Sequence, residues 1–183
     1  MSTIEDLRTT LTGPGGAFEV ITDSVNGIDM LVYKDRMQAL REIIAMAALR
    51  GDEQTFLAYG DREYGFARFV ALANSVSAVL AERHGIAKGD RVAVLSANNP
   101  EWCLAFWGTV DLGAILVWLN GWWKTDEILF GLEDSGSRVL VADARRYERI
   151  ADQIDSIDTV EAVYLVDADP ADFGDSPKLH RFD

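Results

Sequence analysis

Hydrophobic residues alternate between two patterns from residue 91 onward. Short apolar runs of strand-forming residues are separated by longer segments whose apolar residues recur at helical spacing. The runs Arg91–Ser96, Ala114–Leu119, Arg138–Ala142 and Ala162–Val166 predict four strands, and Ala144–Asp155 predicts one of the intervening helices. Parallel strands need such crossover connections. The rhythm therefore predicts an α/β fold, a doubly wound parallel sheet with helices on both faces.

The segment between the first two predicted strands carries the signals of a helix start. Asn99 can accept a hydrogen bond from a free amide of the first turn, and Pro100 has no amide to satisfy. Glu101 is favoured by the positive end of the helix dipole. The helix runs to about Leu112 and ends near Gly113, which can adopt the left-handed conformation. Its apolar residues cover nearly the whole circumference, which predicts burial on several sides.

Upstream of this region, the pattern predicts two helices and a small hairpin. Met37–Leu49 and Gly65–Glu82 place apolar residues on one helical face. Thr55–Tyr59 and Arg62–Tyr64 flank a Gly-Asp pair, which suits a two-residue turn. We therefore expect a β-hairpin near residues 55–64.

The remaining residues divide the chain into three parts. Residues 1–36 lack a long periodic pattern and are expected to form an N-terminal arm. Residues 37–166 make up the predicted α/β subdomain. Residues 167–183 are rich in acids, include Pro170 and Pro177, and are expected to form an acidic linker.

Charge and cysteine content narrow the range of partners and compartments. The formal net charge is −13, which argues against nucleic acid or an anionic membrane as the main partner. The one cysteine, Cys103, excludes an internal disulfide and favours a reducing, cytoplasmic compartment. The first ten residues lack the apolar core of a signal peptide, and no apolar run approaches the about 18 residues of a membrane span.

Three motifs occur in an informative order along the chain. They are GDRVAVLSANNPEW at residues 89–102, DLGAILVWLN at 111–120 and DEILFGLEDSGSRVLVAD at 126–143. In this order they resemble the N-terminal region of the adenylate-forming (AMP-binding) superfamily, in its acyl-CoA synthetase or fatty-acid–CoA ligase branch. The family often has proline where Trp118 and Gly121 stand here.

The resemblance implies a two-step reaction for the full-length parent enzyme. A carboxylic acid attacks the α-phosphorus of ATP to give an acyl-adenylate, and coenzyme A then displaces AMP as a thioester. ATP, Mg²⁺ and coenzyme A are thus the implied substrates and cofactors of the parent. The resemblance also implies an N-terminal subdomain that packs against the remainder of its own chain, the ATP-binding subdomain and the C-terminal domain.

The family's phosphate-binding loop, rich in Ser, Thr and Gly and ending in Pro-Lys, is absent. Its nearest counterpart, Gly174–Lys178, has the Pro-Lys pair but lacks the Thr-Gly run and is surrounded by acids. We therefore expect this piece alone to be inactive and to bind no cofactor. The two histidines and one cysteine show no metal-ligand spacing, so we expect no catalytic or metal-binding residue here.

Trp122 and Trp123 are the candidate site residues. They follow the carboxyl end of a predicted strand, where open α/β sheets place their ligands. An aromatic pair at this position could line a substrate pocket or a subunit interface, and it could equally cap the core. His84, at the end of a predicted helix, is more typical of a residue that complements the helix dipole.

Two function hypotheses remain open from the sequence. The chain is the N-terminal part of an ATP-dependent acid–CoA ligase, or it is a free-standing α/β binding or scaffold domain derived from such an enzyme. A homo-oligomer is expected in either case, because the helix at residues 100–112 is apolar on nearly all sides and would leave apolar surface exposed.

Overall fold

The computed structural model describes residues 3–182, which form two compact units at residues 3–42 and 43–182. These units do not test the predicted boundaries at residues 36 and 166, which stay predictions. Helix α2, Leu40–Ala48, crosses from the first unit into the second. It begins three residues later than the predicted Met37, because the carboxylate of Glu42 accepts the amide of Gln38 at 3.1 Å.

The first unit contains a helix and a β-hairpin. Helix α1, Ile4–Thr12, begins with a capping box in which Thr3 and Asp6 each accept the other's backbone amide. Strands β1 (Val20–Val25) and β2 (Ile28–Tyr33) then form an antiparallel hairpin.

The second unit contains a small hairpin and an α/β layer structure. Its further elements are β3 Thr55–Tyr59, β4 Arg62–Gly65, α3 Phe66–His84, β5 Arg91–Leu95, α4 Pro100–Asp111, β6 Ile115–Trp118, α5 Thr125–Ser135, β7 Val139–Asp143, α6 Ala144–Tyr147, a 3₁₀ helix at Ala151–Ser156, β8 Ala162–Val166, a second 3₁₀ helix at Pro170–Phe173 and β9 Leu179–Arg181. The β3–β4 pair confirms the predicted hairpin. No helix in residues 3–182 combines the length and apolar character needed to cross a membrane.

Five parallel strands form the central sheet in the order β6-β5-β7-β8-β9. Successive strand residues point to opposite faces, and both faces are apolar. One face, which includes Leu95 and Leu140, packs against α5, α6 and the first 3₁₀ helix. The other, which includes Val94 and Val141, packs against α3 and α4. The predicted parallel sheet with helices on both faces is therefore confirmed.

Strand β9 lies within the predicted linker at residues 167–183. Leu179 pairs with Val163 of β8, and Arg181 pairs with Leu165. A three-residue edge strand that contains a histidine and an arginine has no apolar run, so periodicity could not reveal it.

The helix predicted at Ala144–Asp155 is also wrong as a single element. It is divided into α6 and the 3₁₀ helix, because the hydroxyl of Thr125 donates to the carbonyl of Arg149 at 2.8 Å. The amide of Gln153 donates to the carbonyl of Ile150 instead, three residues back.

Helices α3 and α4 cross at a very short separation. Gly108 of α4 lies against Val76 and the carbonyl of Ala73 in α3. The buried hydroxyl of Ser77 donates across the same contact to the Gly108 carbonyl, with the Asp111 carboxylate also at 2.9 Å. The absence of a side chain at residue 108 permits this approach.

Helix α4 is covered on more sides than one sheet face could provide. Ala105 belongs to the core on the sheet, whereas Leu104 is buried in a third apolar cluster with Phe69 of α3. Cys103 and Trp107 pack against this third cluster. The all-round apolar pattern therefore has a structural explanation within the second unit.

We expect Gly108→Ala to destabilise the protein by about 1–2 kcal/mol. The new methyl would lie 2.7 Å from Val76 Cβ, and overpacking of this kind outweighs the helix propensity that alanine adds. Urea unfolding at 25 °C measures the change. Asn74→Ala, on an exposed position of α3, is the matched control and should change stability by less than about 0.5 kcal/mol. A Gly108→Ala variant as stable as wild type would contradict the close contact.

Candidate functional site

The direction in which successive strands are added to the sheet reverses between β5 and β7. The crossover from β5 places β6 on one side of it, and β7 lies on the other side. In open α/β sheets the loops at the carboxyl ends of two such strands diverge, and a crevice forms between them. Open α/β sheets bind their ligands at this position.

Asp143, the last residue of β7, connects the two sides of this crevice. Its Oδ2 accepts the amide of Ala97, in the loop after β5, at 2.7 Å. Its Oδ1 accepts the amide of Arg146 at 3.0 Å and caps α6, while the Arg146 guanidinium donates to Oδ2 at 2.6 Å. One carboxylate therefore fixes both loops with two backbone donors and one cation.

The loop after β5 is also fixed at the start of α4. Asn99 accepts the amide of Trp102 at 2.8 Å, as the sequence predicted, and donates to Ser96 Oγ at 3.0 Å. The neighbouring Glu101 is buried and pairs with Arg62 of the small hairpin at 2.7 Å. The Glu101 carboxylate raises the pKa of the Arg62 guanidinium through this hydrogen bond.

The two candidate tryptophans have different surroundings in the turn after β6. Trp122 is 85% exposed, and its amide donates to Asn120 Oδ1 at 3.0 Å. Trp123 is half-buried and packs against the core, where its ring lies close to Gly131. The structure therefore does not combine them into one aromatic surface. Only Trp122 presents its ring to solvent near the crevice.

Two arginines contact the backbone of this turn. Arg149 Nη1 donates to the carbonyls of Gly121 and Trp123 at 2.9 and 2.8 Å. The Arg146 guanidinium lies so close to Gly121 that a Cβ there would be 2.5 Å from Nε. Nε itself is buried without a hydrogen-bond partner. A glycine at position 121, where the sequence departs from the family pattern, thus accommodates the arginine.

An apolar groove of about 290 Å³ lies on the face of the sheet that packs against α3 and α4. Its walls include Leu72 and Val76 of α3, and Val141, Tyr164 and Phe182 line its sheet side. This groove marks the part of that face that α3 and α4 leave open.

Lys178, the lysine of the nearest phosphate-loop counterpart, has a structural role. Its Nζ donates to the carbonyls of Ile157 and Ile154 at 3.0 and 3.2 Å, at the end of the first 3₁₀ helix. A lysine held by backbone carbonyls is not directed toward a phosphate. Within residues 3–182, no group of three or more His, Cys, Asp or Glu side chains could hold a metal ion.

Sequence reasoning missed the partners of Asp143 and His84. An acid directly after a buried parallel strand is a usable signal, but the Ala97 amide that it binds is 46 residues away. His84 Nε2 lies 2.8 Å from the hydroxyl of Tyr164, 80 residues away. Cys103 is half-buried in α4, and burial raises the pKa of its thiol, with a smaller contribution from Glu101.

Comparison with known sequences identifies similar proteins over most of the second unit. The family described as AMP-binding enzyme matches residues 44–181. Long-chain-fatty-acid–CoA ligase FadD13 of Mycobacterium tuberculosis is 46% identical over 76 residues, 42% of this chain and 15% of that protein. The 3-hydroxybenzoate–CoA/4-hydroxybenzoate–CoA ligase of Thauera aromatica is 32% identical over 131 residues, 69% of this chain and 25% of that protein. The chain thus spans a quarter or less of these two relatives.

Solved structures show the same architecture. The anthranilate CoA ligase AuaEII, in complex with anthranoyl-AMP, superposes with a TM-score of 0.70 at 26% identity, over 78% of this chain and 26% of that one. The N-terminal domain of FACL13 from Mycobacterium tuberculosis superposes with a TM-score of 0.61 at 34% identity, over 70% of this chain and 34% of that one.

We expect Asp143→Asn to destabilise the protein by about 1.5–3 kcal/mol, because hydrogen bonds to a charged partner are lost. Urea unfolding measures the loss. Hydrogen exchange at the Ala97 amide should accelerate more than exchange in the β5 strand. Asp134→Asn, at an exposed position of α5, removes the same charge without these partners and is the control. Equal effects of the two substitutions would contradict the role assigned to Asp143.

Proposed function

This chain belongs to the family of AMP-binding enzymes, and we propose that it is the N-terminal part of an ATP-dependent acid–CoA ligase. Such an enzyme activates a carboxylic acid as an acyl-adenylate and transfers the acyl group to coenzyme A. The observation that carries the proposal is the family match over residues 44–181, which includes all three ordered motifs. The relatives named above are CoA ligases.

The substrate class is a carboxylic acid, and we favour a fatty acid. The relative with 46% identity is a long-chain-fatty-acid–CoA ligase, whereas another relative acts on hydroxybenzoates. Trp122 is our candidate for the lining of a substrate pocket or an interface, because its exposed ring follows the carboxyl end of β6. Trp123 is our second candidate, and its half-buried ring positions the turn that carries Trp122.

The described residues supply the frame of the reaction site and not its catalytic groups. Adenylation needs positive charge and donors around the leaving pyrophosphate. Lys178 is held by backbone carbonyls, and Arg146 and Arg149 are engaged by Asp143 and by backbone carbonyls. The residues present therefore do not fit the triphosphate of ATP, and we assign ATP, Mg²⁺ and coenzyme A to the parent enzyme.

The first proposed partner is the remainder of the parent's own chain, reached through residues 167–183. The open apolar groove supports this proposal, because parallel sheets are normally covered on both faces. We also propose a homo-oligomer, since Trp118, Ile115 and Trp122 are exposed. A cytoplasmic location is proposed from the lone Cys103.

Acid-dependent ATP–pyrophosphate exchange tests the proposed function. We expect no exchange above the no-acid background for residues 1–183, and exchange for the product of the reading frame extended beyond residue 183. That extension should encode a Gly/Thr-rich loop ending in lysine. A stop codon at this point, or an extension without such a loop, would favour the free-standing binding domain. Lys178→Ala is the control, since exchange by wild type but not by this variant would assign Lys178 a phosphate-binding role.

Sedimentation at micromolar concentration tests the proposed homo-oligomer. We expect a mass of at least two chains at physiological salt, where charges are screened over about 8 Å and net repulsion is weakened. Trp118→Lys should shift the distribution toward the monomer, because it places a charge at an exposed apolar position. Asn98→Lys, at another exposed position, is the matched control. A monomeric wild-type chain would show that the oligomer prediction is wrong.

A further inference from the structure

Strand β6 has a strand partner on one side only. It pairs with β5, and no other strand in residues 3–182 pairs with its second side. Ile115 and Trp118, at the two ends of the strand, are 52% and 63% exposed. An open strand edge presents backbone donors and acceptors that can bind a further strand.

The bonds to β5 show which backbone groups of β6 face the open side. The amides of Ile115 and Leu119 donate to carbonyls of the β5 segment at 2.7 and 3.0 Å. Because successive residues of a strand alternate between its two neighbours, Val117 also directs its backbone groups toward β5. The amides and carbonyls of Leu116 and Trp118 therefore point away from β5, toward the open side.

Aromatic side chains line one face of this open edge. The Trp118 ring centroid lies 5.9 Å from that of Trp102 and 6.4 Å from that of Phe106, both on α4. The Trp102 and Phe106 rings are stacked, with their centroids 6.0 Å apart, and both are only partly buried. Tryptophan and phenylalanine are enriched at the centres of protein–protein interfaces.

The same surface is almost free of charge. Between Trp102 and Trp123 only Asp111 is charged, although charged residues make up 26% of the chain. The Asp111 carboxylate accepts a hydrogen bond from Ser77 of its own chain at 2.9 Å. Two copies with a net charge of −13 repel each other, so a second copy is best accommodated where neither surface carries acids. Depletion of charge is also typical of the centre of an interface.

We propose that β6 pairs antiparallel with β6 of a second copy, so that the two sheets join into one across a two-fold axis at Val117. This assignment rests on the homo-oligomer proposed above and identifies the surface that forms it. In this register, Leu116 of each chain lies opposite Trp118 of the other. Each of these two pairs exchanges two backbone hydrogen bonds, which gives four bonds per dimer.

Backbone groups just beyond the strand select this register. The Ala114 amide already donates to the Thr109 carbonyl at 3.3 Å, and the Asn120 carbonyl already accepts the Trp123 amide at 3.0 Å. A shift of the pairing by two residues in either direction would place Ala114 or Asn120 opposite an outward-facing residue, and one bond of each such pair would be lost. The register centred on Val117 uses only backbone groups that are free to pair.

The side chains fit the same register. Leu116 and Trp118 are two residues apart and therefore lie on one face of the sheet, the face that packs against α4. Directly opposite residues of an antiparallel pair have adjacent side chains, so Trp118 of each copy covers Leu116 of the other. One chain thus supplies both the large ring and the smaller side chain that it covers, as an isologous interface requires.

Amide exchange of the wild-type 183-residue chain tests the pairing without any variant. The Leu116 and Trp118 amides face the open side of a single chain and should exchange rapidly at low concentration. From micromolar to near-millimolar protein, their exchange should slow by about tenfold, since pairing between copies follows mass action. The Val117 amide, which faces β5, should be equally protected at both concentrations.

Two cysteine variants, each in a Cys103→Ser background, test the register. Val117→Cys should form a disulfide-linked dimer under mild oxidation, because facing residues at a non-hydrogen-bonded position have Cα atoms about 4.5 Å apart, within disulfide reach. Ile115→Cys is the matched control. It lies on the same face and is more exposed, but its two copies would be about 13 Å apart along the strands and should not cross-link.

The readouts separate failure of this interface from failure of the proposals on which it rests. A dimer by sedimentation without the Val117→Cys cross-link, or with equal cross-linking of both variants, overturns the β6 pairing and leaves the homo-oligomer to another surface. Exchange of Leu116 and Trp118 that is independent of concentration also overturns it. A monomer at every concentration overturns both. Neither readout involves ATP–pyrophosphate exchange, so a failure of the ligase assignment would not change these results.

Discussion

The requirement that both faces of a parallel sheet be covered governs the arrangement of the second unit. Because strand residues are apolar on both sides, each face needs its own layer of helices. One face is completed by α5, α6 and a 3₁₀ helix. The other relies on α3 and α4, which fit together closely because Gly108 has no side chain. Both helices contribute walls to the groove, together with Val141, Tyr164 and Phe182.

The carboxyl ends of the strands and the open face of the sheet differ in chemical character. At the carboxyl ends of the strands, Asp143 fixes the loops of the crevice with bonds to Ala97 and Arg146. On the open face, Tyr164 lies between the groove and the histidine pair. The strand ends are polar, and Asp143 joins the two loops there. The open face is apolar, and both histidines lie beside Tyr164 at its edge.

The sequence predicted those features that depend on local chemistry. The Asn99 cap and the four predicted strands follow from neighbours in the chain, and so does the left-handed Gly113. The features that it missed depend on distant partners. Thr125 interrupts a helix 24 residues away, and β9 is a strand because β8 holds it and not because of its own residues. In the candidate site, the position of the two tryptophans after β6 was predictable, but their opposite exposure was not, since it depends on packing against α5.

Strand β6 has a consequence for the behaviour of the chain before it is fully assembled. It lies at the edge of the sheet, and its four residues Ile115–Trp118 include neither a charge nor a proline. Natural sheets usually carry charged residues or proline on their edge strands, and these residues prevent other molecules from adding a strand. An uncharged edge with an exposed Trp118 therefore makes recovery from the unfolded state sensitive to concentration, since intermolecular β-pairing competes with folding.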